Sequence, residues 1–160
     1  DLSSWPVVNV AFGGSTIAAC AWYFDRIITP FPSRAMVLYA GDNDLGAGRH
    51  PEAVIHQFPL IVRRWEEERP GQPLLFVSIK PSPSRRSLWK SITYTNEQIA
   101  AWCATRESCR FVDTASPMLT GEVDLADYFE TDQLHLSRRG SVIGESLDAV
   151  LGKPTATLGG

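Results

Sequence analysis

Short apolar runs alternate with longer amphipathic segments along most of the chain, and this alternation constrains its fold more than any other feature. The first run is rich in β-branched residues and is bounded by Gly13 and Gly14, and the next two are almost wholly apolar, so we predict that the runs are strands. They span residues 6–12, 34–40, 73–79 and 110–113.

The segments between these runs have the length and apolar spacing of helices. They span residues 15–28, 52–68, 89–105 and 137–151, and Pro51 opens the second of them. Between the last strand and the last helix we expect a loop through residues 117–119. Strands that alternate with helices predict an α/β sandwich around a parallel sheet with right-handed crossovers. We therefore expect a single domain over residues 1–151, followed by a loose tail at 152–160.

Composition excludes several classes of function. With 15 Lys plus Arg against 18 Asp plus Glu and no long basic run, the chain does not favour nucleic acid or an anionic membrane. No stretch is apolar enough to span a membrane. Three cysteines without Cys-x-x-Cys spacing favour reduced thiols over a disulfide framework or a metal site. The compartment stays open, with a slight preference for the cytoplasm.

Polar clusters follow each predicted strand. They are Gly13 to Thr16, Gly41 to Asp44, Lys80 to Arg85, and Asp132 with His135. In parallel sheets, ligand sites lie beyond the carboxyl ends of the strands. We therefore expect these clusters to meet at one rim and to form an active or binding site.

Asp132 and His135 are the candidate acid and base of that site. A carboxylate three residues before a histidine can orient the imidazole, which then takes a proton from a hydroxyl. The alternative is that Asp132 caps a helix and His135 is an ordinary residue of its first turn. At the same rim, the Asn43 amide is suited to an oxyanion, although glycine, aspartate and asparagine also favour turns.

These motifs together carry a resemblance to a known family. Asn9-Val-Ala-Phe-Gly-Gly-Ser-Thr-Ile17, Tyr39-Ala-Gly-Asp-Asn-Asp44, Ser78-Ile-Lys-Pro-Ser-Pro-Ser-Arg85 and Asp132-Gln-Leu-His135 occur in this order. The chain thereby resembles the SGNH (GDSL-type) hydrolases from about Val7 to Leu151. The resemblance implies a flavodoxin-like three-layer α/β/α sandwich, ester or thioester hydrolysis through an acyl-enzyme, and no metal or other cofactor.

The resemblance also assigns roles to residues. Asp132 and His135 would be the acid and base of a triad, and the Gly14 N–H and Asn43 amide would bind the oxyanion. In the family, the nucleophilic serine follows a first strand that is central in the sheet. This sequence lacks that block, so the first strand is missing or replaced.

Three arrangements would provide hydrogen-bond partners for the strand edges that the missing central strand leaves open. Residues 7–12 could shift into the vacant slot, which would bring Ser15 to face His135; we favour this arrangement, alone or combined with the next. A second copy of the chain could pair with the open edge, most simply as a homodimer. A separate N-terminal segment could bind there.

Ser15 is our candidate nucleophile, and its alternative role is a helix N-cap. Ser82 and Ser84 are weaker candidates that also suit a proline-rich turn. Arg85 and Trp89 are candidate substrate-channel residues, Arg85 for a polar or anionic substrate and Trp89 as an apolar wall, and either could equally be a surface residue.

We expect a serine hydrolase of the carboxylesterase or acetylesterase type that acts on a small-molecule ester with a short acyl group. The alternative from another class is a catalytically incomplete domain that binds a ligand or partner through the same rim without turnover.

Overall fold

Three short parallel strands form the sheet in the computed structural model, which describes residues 6–121 and 123–141. They are β1 (Met36–Leu38), β2 (Leu74–Val77) and β3 (Cys109–Val112), in the spatial order β1-β2-β3. Met36 lies opposite Leu74, which lies opposite Cys109. These strands confirm three of the four predicted runs: β1 and β2 are shorter than predicted, and β3 begins one residue earlier.

Both faces of the central strand are buried. Leu74 and Phe76 pack into the main apolar cluster, while Leu75 and Val77 point to the opposite face and are also at most 1% exposed. A strand buried on both faces is typical of a parallel sheet between two layers. The predicted α/β architecture is confirmed.

Three of the helices follow the predicted alternation: α1 (Ile17–Ile27), α3 (Pro51–Glu68) and α4 (Trp89–Cys103). A short helix that was not predicted, α2 (Asp42–Gly46), lies between β1 and α3. Pro51 begins α3 because a first-turn residue needs no backbone donor. The inward stripe of α3 is Val54, Phe58, Ile61, Val62 and Trp65, all at most 2% exposed. None of the helices in the described part of the chain is long and apolar enough to cross a membrane.

The chain from residue 113 onward is less regular. A short helix, α5 (Ala115–Thr120), lies where we expected a loop through residues 117–119. Pro117 is tolerated there because it is the third residue of the helix, where a backbone N–H has no intrahelical acceptor. Short 3₁₀ helices cover Pro83–Leu88, Leu125–Tyr128 and Arg138–Ser141. The predicted helix from residue 142 on, and the tail 152–160, lie outside the described residues.

Residues 6–12 do not form the predicted strand. They pair with no strand of the sheet, and Val7 and Val8 are 53% and 54% exposed. The expectation that they fill the vacant slot is therefore wrong in this structure. Within the described residues β1 pairs only with β2, so its other edge is open. A β-branched run becomes a strand only when a neighbour accepts its backbone hydrogen bonds.

The expectation of three reduced cysteines is also wrong. Cys103, at the end of α4, and Cys109, at the start of β3, form a disulfide, with their Cα atoms 5.0 Å apart. That separation is within the normal range for a disulfide. Cys20 remains a free thiol, and burial raises its pKa.

Candidate active site

Hydrogen bonds connect the segments that carry the four predicted polar clusters. The backbone N–H of Ile17, at the start of α1, donates to Oδ2 of the buried Asp44 at 2.9 Å. The Arg85 guanidinium binds Asp42, which links the loop after β2 to α2. The Ser84 N–H donates to the Gln133 carbonyl at 3.1 Å, which joins this loop to the Asp132 turn. The rim predicted from the sequence is therefore a connected surface.

Asp132 orients His135 and caps the turn between them. Its Oδ2 lies 2.5 Å from His135 Nδ1, and its Oδ1 accepts the backbone N–H groups of Leu134 and His135, both at 2.9 Å. A short antiparallel bridge between Phe129 and Leu136 closes the turn. The Asp132 carboxylate thus both contacts the imidazole and caps backbone N–H groups, although it caps a turn and not a helix.

These hydrogen bonds change the acidity of Asp132. The His135 side chain, followed by the two backbone N–H groups, lowers the pKa of Asp132 from 3.8 to about 2. The His135 side chain is 76% exposed, and its Nε2 has no hydrogen-bond partner among the described residues. The imidazole is therefore held at Nδ1 and open to solvent at Nε2, as a general base requires.

Asn43 lies on α2, directly after β1. Its Nδ2 donates to the carbonyl oxygen of Ser15 at 3.0 Å. The amide donor is thus directed at the segment before α1, where Gly14 adopts a left-handed φ of +72°. Asn43 and Gly14, the two predicted oxyanion groups, therefore lie on neighbouring segments of the rim.

Ser15 is brought to this rim but not into contact with His135. Its carbonyl binds Asn43, whereas its hydroxyl makes no hydrogen bond within the described part of the chain. The N-cap of α1 is Thr16, whose side chain accepts from the Ala19 N–H at 3.2 Å. The alternative role of Ser15 as the N-cap is therefore wrong.

The other two candidate serines differ in access. Ser82 is completely buried, and its hydroxyl has no partner among the described residues. Ser84 is exposed, and its backbone contacts Gln133 in the turn that carries His135.

Trp89 secures the loop after β2. Its indole N–H donates to the Ser82 carbonyl at 3.0 Å, and the Arg86 guanidinium lies 5.5 Å from its ring centroid. The ring is half-buried and packs against the main core. Arg85 instead turns toward α2.

A buried ionic cluster beside the site was not predicted. Asp42 binds Lys80 Nζ at 2.5 Å and the Arg85 guanidinium, and Lys80 also donates to the Tyr39 hydroxyl at 2.9 Å. Asp42 and Lys80 are only 6% and 8% exposed. Burial of the hydroxyl, together with the Asp42 charge, raises the pKa of Tyr39 well above its ordinary value. The available signal was a charged residue close to the end of each of two predicted apolar runs, Asp42 after 34–40 and Lys80 after 73–79.

Asn96 of α4 is a second residue that the sequence analysis missed. Its side chain accepts from the Ile79 N–H at 2.8 Å and donates to the Ile79 carbonyl at 2.9 Å. It thereby satisfies both backbone groups where β2 has ended and fixes the direction of the Lys80 loop.

The low pKa of Asp132 gives a direct test of the Asp132–His135 contact. Because the folded-state pKa lies below the unfolded value, the ionised carboxylate stabilises the turn above about pH 4, and this contribution is lost as pH falls toward 2. We expect the Asp132 carboxyl carbon to titrate near pH 2 by NMR. In His135→Ala the midpoint should rise, while His56→Ala should leave it unchanged. An Asp132 midpoint near 3.8 in the wild type would contradict the geometry.

Comparison with solved structures shows the same fold in several proteins. A protein from Streptococcus pneumonia, provisionally named a platelet activating factor, is 19% identical with a TM-score of 0.78 over 90% of this chain and 72% of that chain. A GDSL-like lipase from Bacteroides thetaiotaomicron is 20% identical, with a TM-score of 0.71 over 86% and 71%. A carbohydrate esterase family 3 protein from Talaromyces cellulolyticus is 16% identical, with a TM-score of 0.72 over 86% and 67%.

Sequence comparison identifies the family. No curated protein matches the chain. The sequence profile described as the GDSL-like Lipase/Acylhydrolase family matches residues 1–143, which is most of the chain. This match supports a hydrolase function of the esterase type. The chain belongs to the GDSL-like lipase/acylhydrolase family.

Proposed function

We propose that the chain is a serine ester hydrolase of the carboxylesterase or acetylesterase type, acting on short acyl esters through an acyl-enzyme. The observation that carries this proposal is the Asp132–His135 pair, with Nδ1 held at 2.5 Å and Nε2 exposed. The family match and the similarity to a carbohydrate esterase and a GDSL-like lipase support it.

In the proposed reaction, a serine hydroxyl attacks the ester carbonyl while His135 Nε2 takes its proton. The carbonyl π electrons move to oxygen, and the resulting oxyanion is bound by the Asn43 amide and the Gly14 N–H. His135, stabilised as imidazolium by Asp132, then protonates the departing alcohol. Water then attacks the acyl-enzyme in the same way, with His135 as the base, and releases the carboxylic acid and the free serine. The reaction needs no cofactor.

Ser15 is the proposed nucleophile because its segment already meets Asn43 at the rim. For catalysis, the Asn43 amide must leave the Ser15 carbonyl, which it binds at 3.0 Å, and donate to the substrate oxyanion. The hydroxyl of Ser15 must also approach His135. Trp89, half-buried beside the loop after β2, is the proposed apolar wall for the acyl group.

Hydrolysis of p-nitrophenyl acetate and butyrate tests the proposal. We expect His135→Ala to lower kcat/KM by roughly 10²- to 10⁴-fold because the general base is lost. Ser15→Ala should abolish turnover, whereas the exposed controls His56→Ala and Ser87→Ala should keep wild-type rates. Wild-type activity in His135→Ala would disprove the triad. Wild-type activity in Ser15→Ala alone would disprove only the choice of nucleophile, and Ser84→Ala would be examined next.

A second candidate function is a catalytically incomplete domain that binds a ligand or partner at the same rim. The observation that favours it is that no hydroxyl in the described residues contacts His135, while Asn43 already binds the Ser15 carbonyl. An organophosphate that labels activated serines distinguishes the two functions. A serine adduct by mass spectrometry would exclude the incomplete domain, and the absence of an adduct would exclude the esterase.

We also propose that the chain forms a homodimer through the open edge of β1. An unpaired strand edge exposes backbone N–H and C=O groups that favour pairing with another strand. The same edge on two copies of the chain can pair about a two-fold axis. Val37 of β1 is 42% exposed, which adds apolar surface beside this edge.

Light scattering coupled to gel filtration tests the homodimer. We expect twice the mass of one chain for the wild type and a monomer for Val37→Lys, because a charge on β1 disfavours edge pairing. Leu60→Lys, at an exposed position of α3, is the matched control and should stay dimeric. A monodisperse wild-type monomer at high concentration would rule the dimer out.

A further inference from the structure

The Arg85 guanidinium spans the first two residues of α2. One nitrogen, Nη1, donates to both the backbone carbonyl and the carboxylate of Asp42. The other, Nη2, lies 3.4 Å from the side-chain carbonyl oxygen of Asn43. The Arg85 side chain is only 16% exposed. Arg85 is thus directed at the residue that supplies the proposed oxyanion donor.

Gly46 provides the space that this arrangement needs. A Cβ atom at position 46 would lie 2.6 Å from Cζ and 2.7 Å from Nη2 of Arg85. Gly46 is exposed and is not among the glycines with positive φ, so its backbone conformation does not require glycine. Glycine is instead explained by the Arg85 guanidinium, which occupies the space that a side chain at position 46 would need.

Lys80 prevents Asp42 from turning away. Its Nζ binds Asp42 Oδ2 at 2.5 Å, while Arg85 takes Oδ1. Both carboxylate oxygens are therefore engaged, and the carboxylate is a fixed anchor for Arg85. The planar fork of arginine can reach Asp42 and Asn43 together, which the single ammonium of a lysine cannot do with the same geometry.

The two ends of an asparagine amide have almost the same shape, so only hydrogen bonds decide which end faces a ligand. With a cation beside Oδ1, the amide is held with Nδ2 toward the Ser15 carbonyl. A reversed amide would direct a carbonyl oxygen at the oxyanion and repel it.

We propose that Arg85 is a positioning residue for the oxyanion donor, and that Gly46 is glycine in order to admit it. This inference rests on the proposed function because it assigns Arg85 to the same site. It revises the expectation that Arg85 contacts the substrate: Arg85 acts through Asn43.

The orientation of Asn43 can be measured without substrate. In ¹⁵N-labelled protein, the Asn43 side-chain amide signal is identified by its loss in Asn43→Ala. We expect Arg85→Gln and Gly46→Ala to shift this signal, because both remove the guanidinium from Oδ1. Arg86→Gln, the neighbouring control, should leave it unchanged. An Asn43 signal that is unchanged in both Arg85→Gln and Gly46→Ala would overturn the proposal.

Gly46→Ala keeps the experiment informative if Arg85→Gln does not fold. Alanine normally favours a helix over glycine, so an effect of Gly46→Ala at Asn43 cannot come from lost helix propensity.

Kinetics with p-nitrophenyl acetate provide the second readout. We expect Arg85→Gln to lower kcat roughly 10- to 100-fold with KM nearly unchanged, because an oxyanion contact is made mainly in the transition state. In an Asn43→Ala background the same change should have little effect. A raised KM at unchanged kcat would show direct substrate contact and overturn the proposal. A wild type without esterase activity would refute the proposed function, while the Asn43 signal would still decide the positioning role.

Discussion

The buried carboxylate of Asp42 is the group on which the rim of the sheet depends. A charge that is removed from water is costly unless it is paired and hydrogen-bonded. Asp42 meets this requirement with Lys80 on one oxygen and Arg85 on the other, and the Tyr39 hydroxyl adds a hydrogen bond at 3.2 Å. These partners come from the ends of two strands and from the 3₁₀ helix that follows β2. A single carboxylate therefore fixes the relative positions of three segments.

The positions of the candidate catalytic groups follow from this anchor. Asp42 fixes the start of α2, so Asn43 faces Ser15 and Asp44 reaches the N-terminus of α1. On the other side, the loop that carries Arg85 also holds the His135 turn through the Ser84 backbone. The proposed oxyanion donor, Asn43, and the proposed base, His135, thus belong to one hydrogen-bonded framework. The hydroxyl of Ser15, the proposed nucleophile, makes no hydrogen bond to that framework within the described residues.

Much of the fold could be predicted from the sequence because its core elements are defined by local pattern. The wholly apolar run in β2 and the inward stripe of α3 are both found as predicted, since burial selects the same residues that periodicity identifies. The run at residues 6–12 has an equally good local pattern. A strand also needs a neighbouring strand that accepts its backbone hydrogen bonds, and a local pattern does not show whether that neighbour is present. The loop expected at residues 117–119 is instead part of α5, where Pro117 is tolerated because it lies in the first turn of the helix.

The site was predicted in part for a related reason. Asp132 and His135 are three residues apart, so a local turn brings them together, and their contact could be predicted. The partners of Asp42 are 38 and 43 residues away, and their contacts depend on the sheet order and the crossovers. The two cysteines of the disulfide are 6 residues apart, and they meet because the chain turns between α4 and β3. The polar clusters after the predicted strands located the rim, but neither they nor the family resemblance revealed the ionic cluster beneath it.

The free energy of unfolding of Asp42→Asn, measured by urea denaturation, tests the central role of this carboxylate most directly. The substitution keeps the shape of the side chain but leaves Lys80 and Arg85 without their counter-charge. We expect a loss of about 3 kcal/mol, as is typical when one partner of a buried ion pair is removed. The loss should be clearly smaller in a Lys80→Met background, where one of the stranded charges is absent. An Asp42→Asn protein as stable as the wild type would contradict the account.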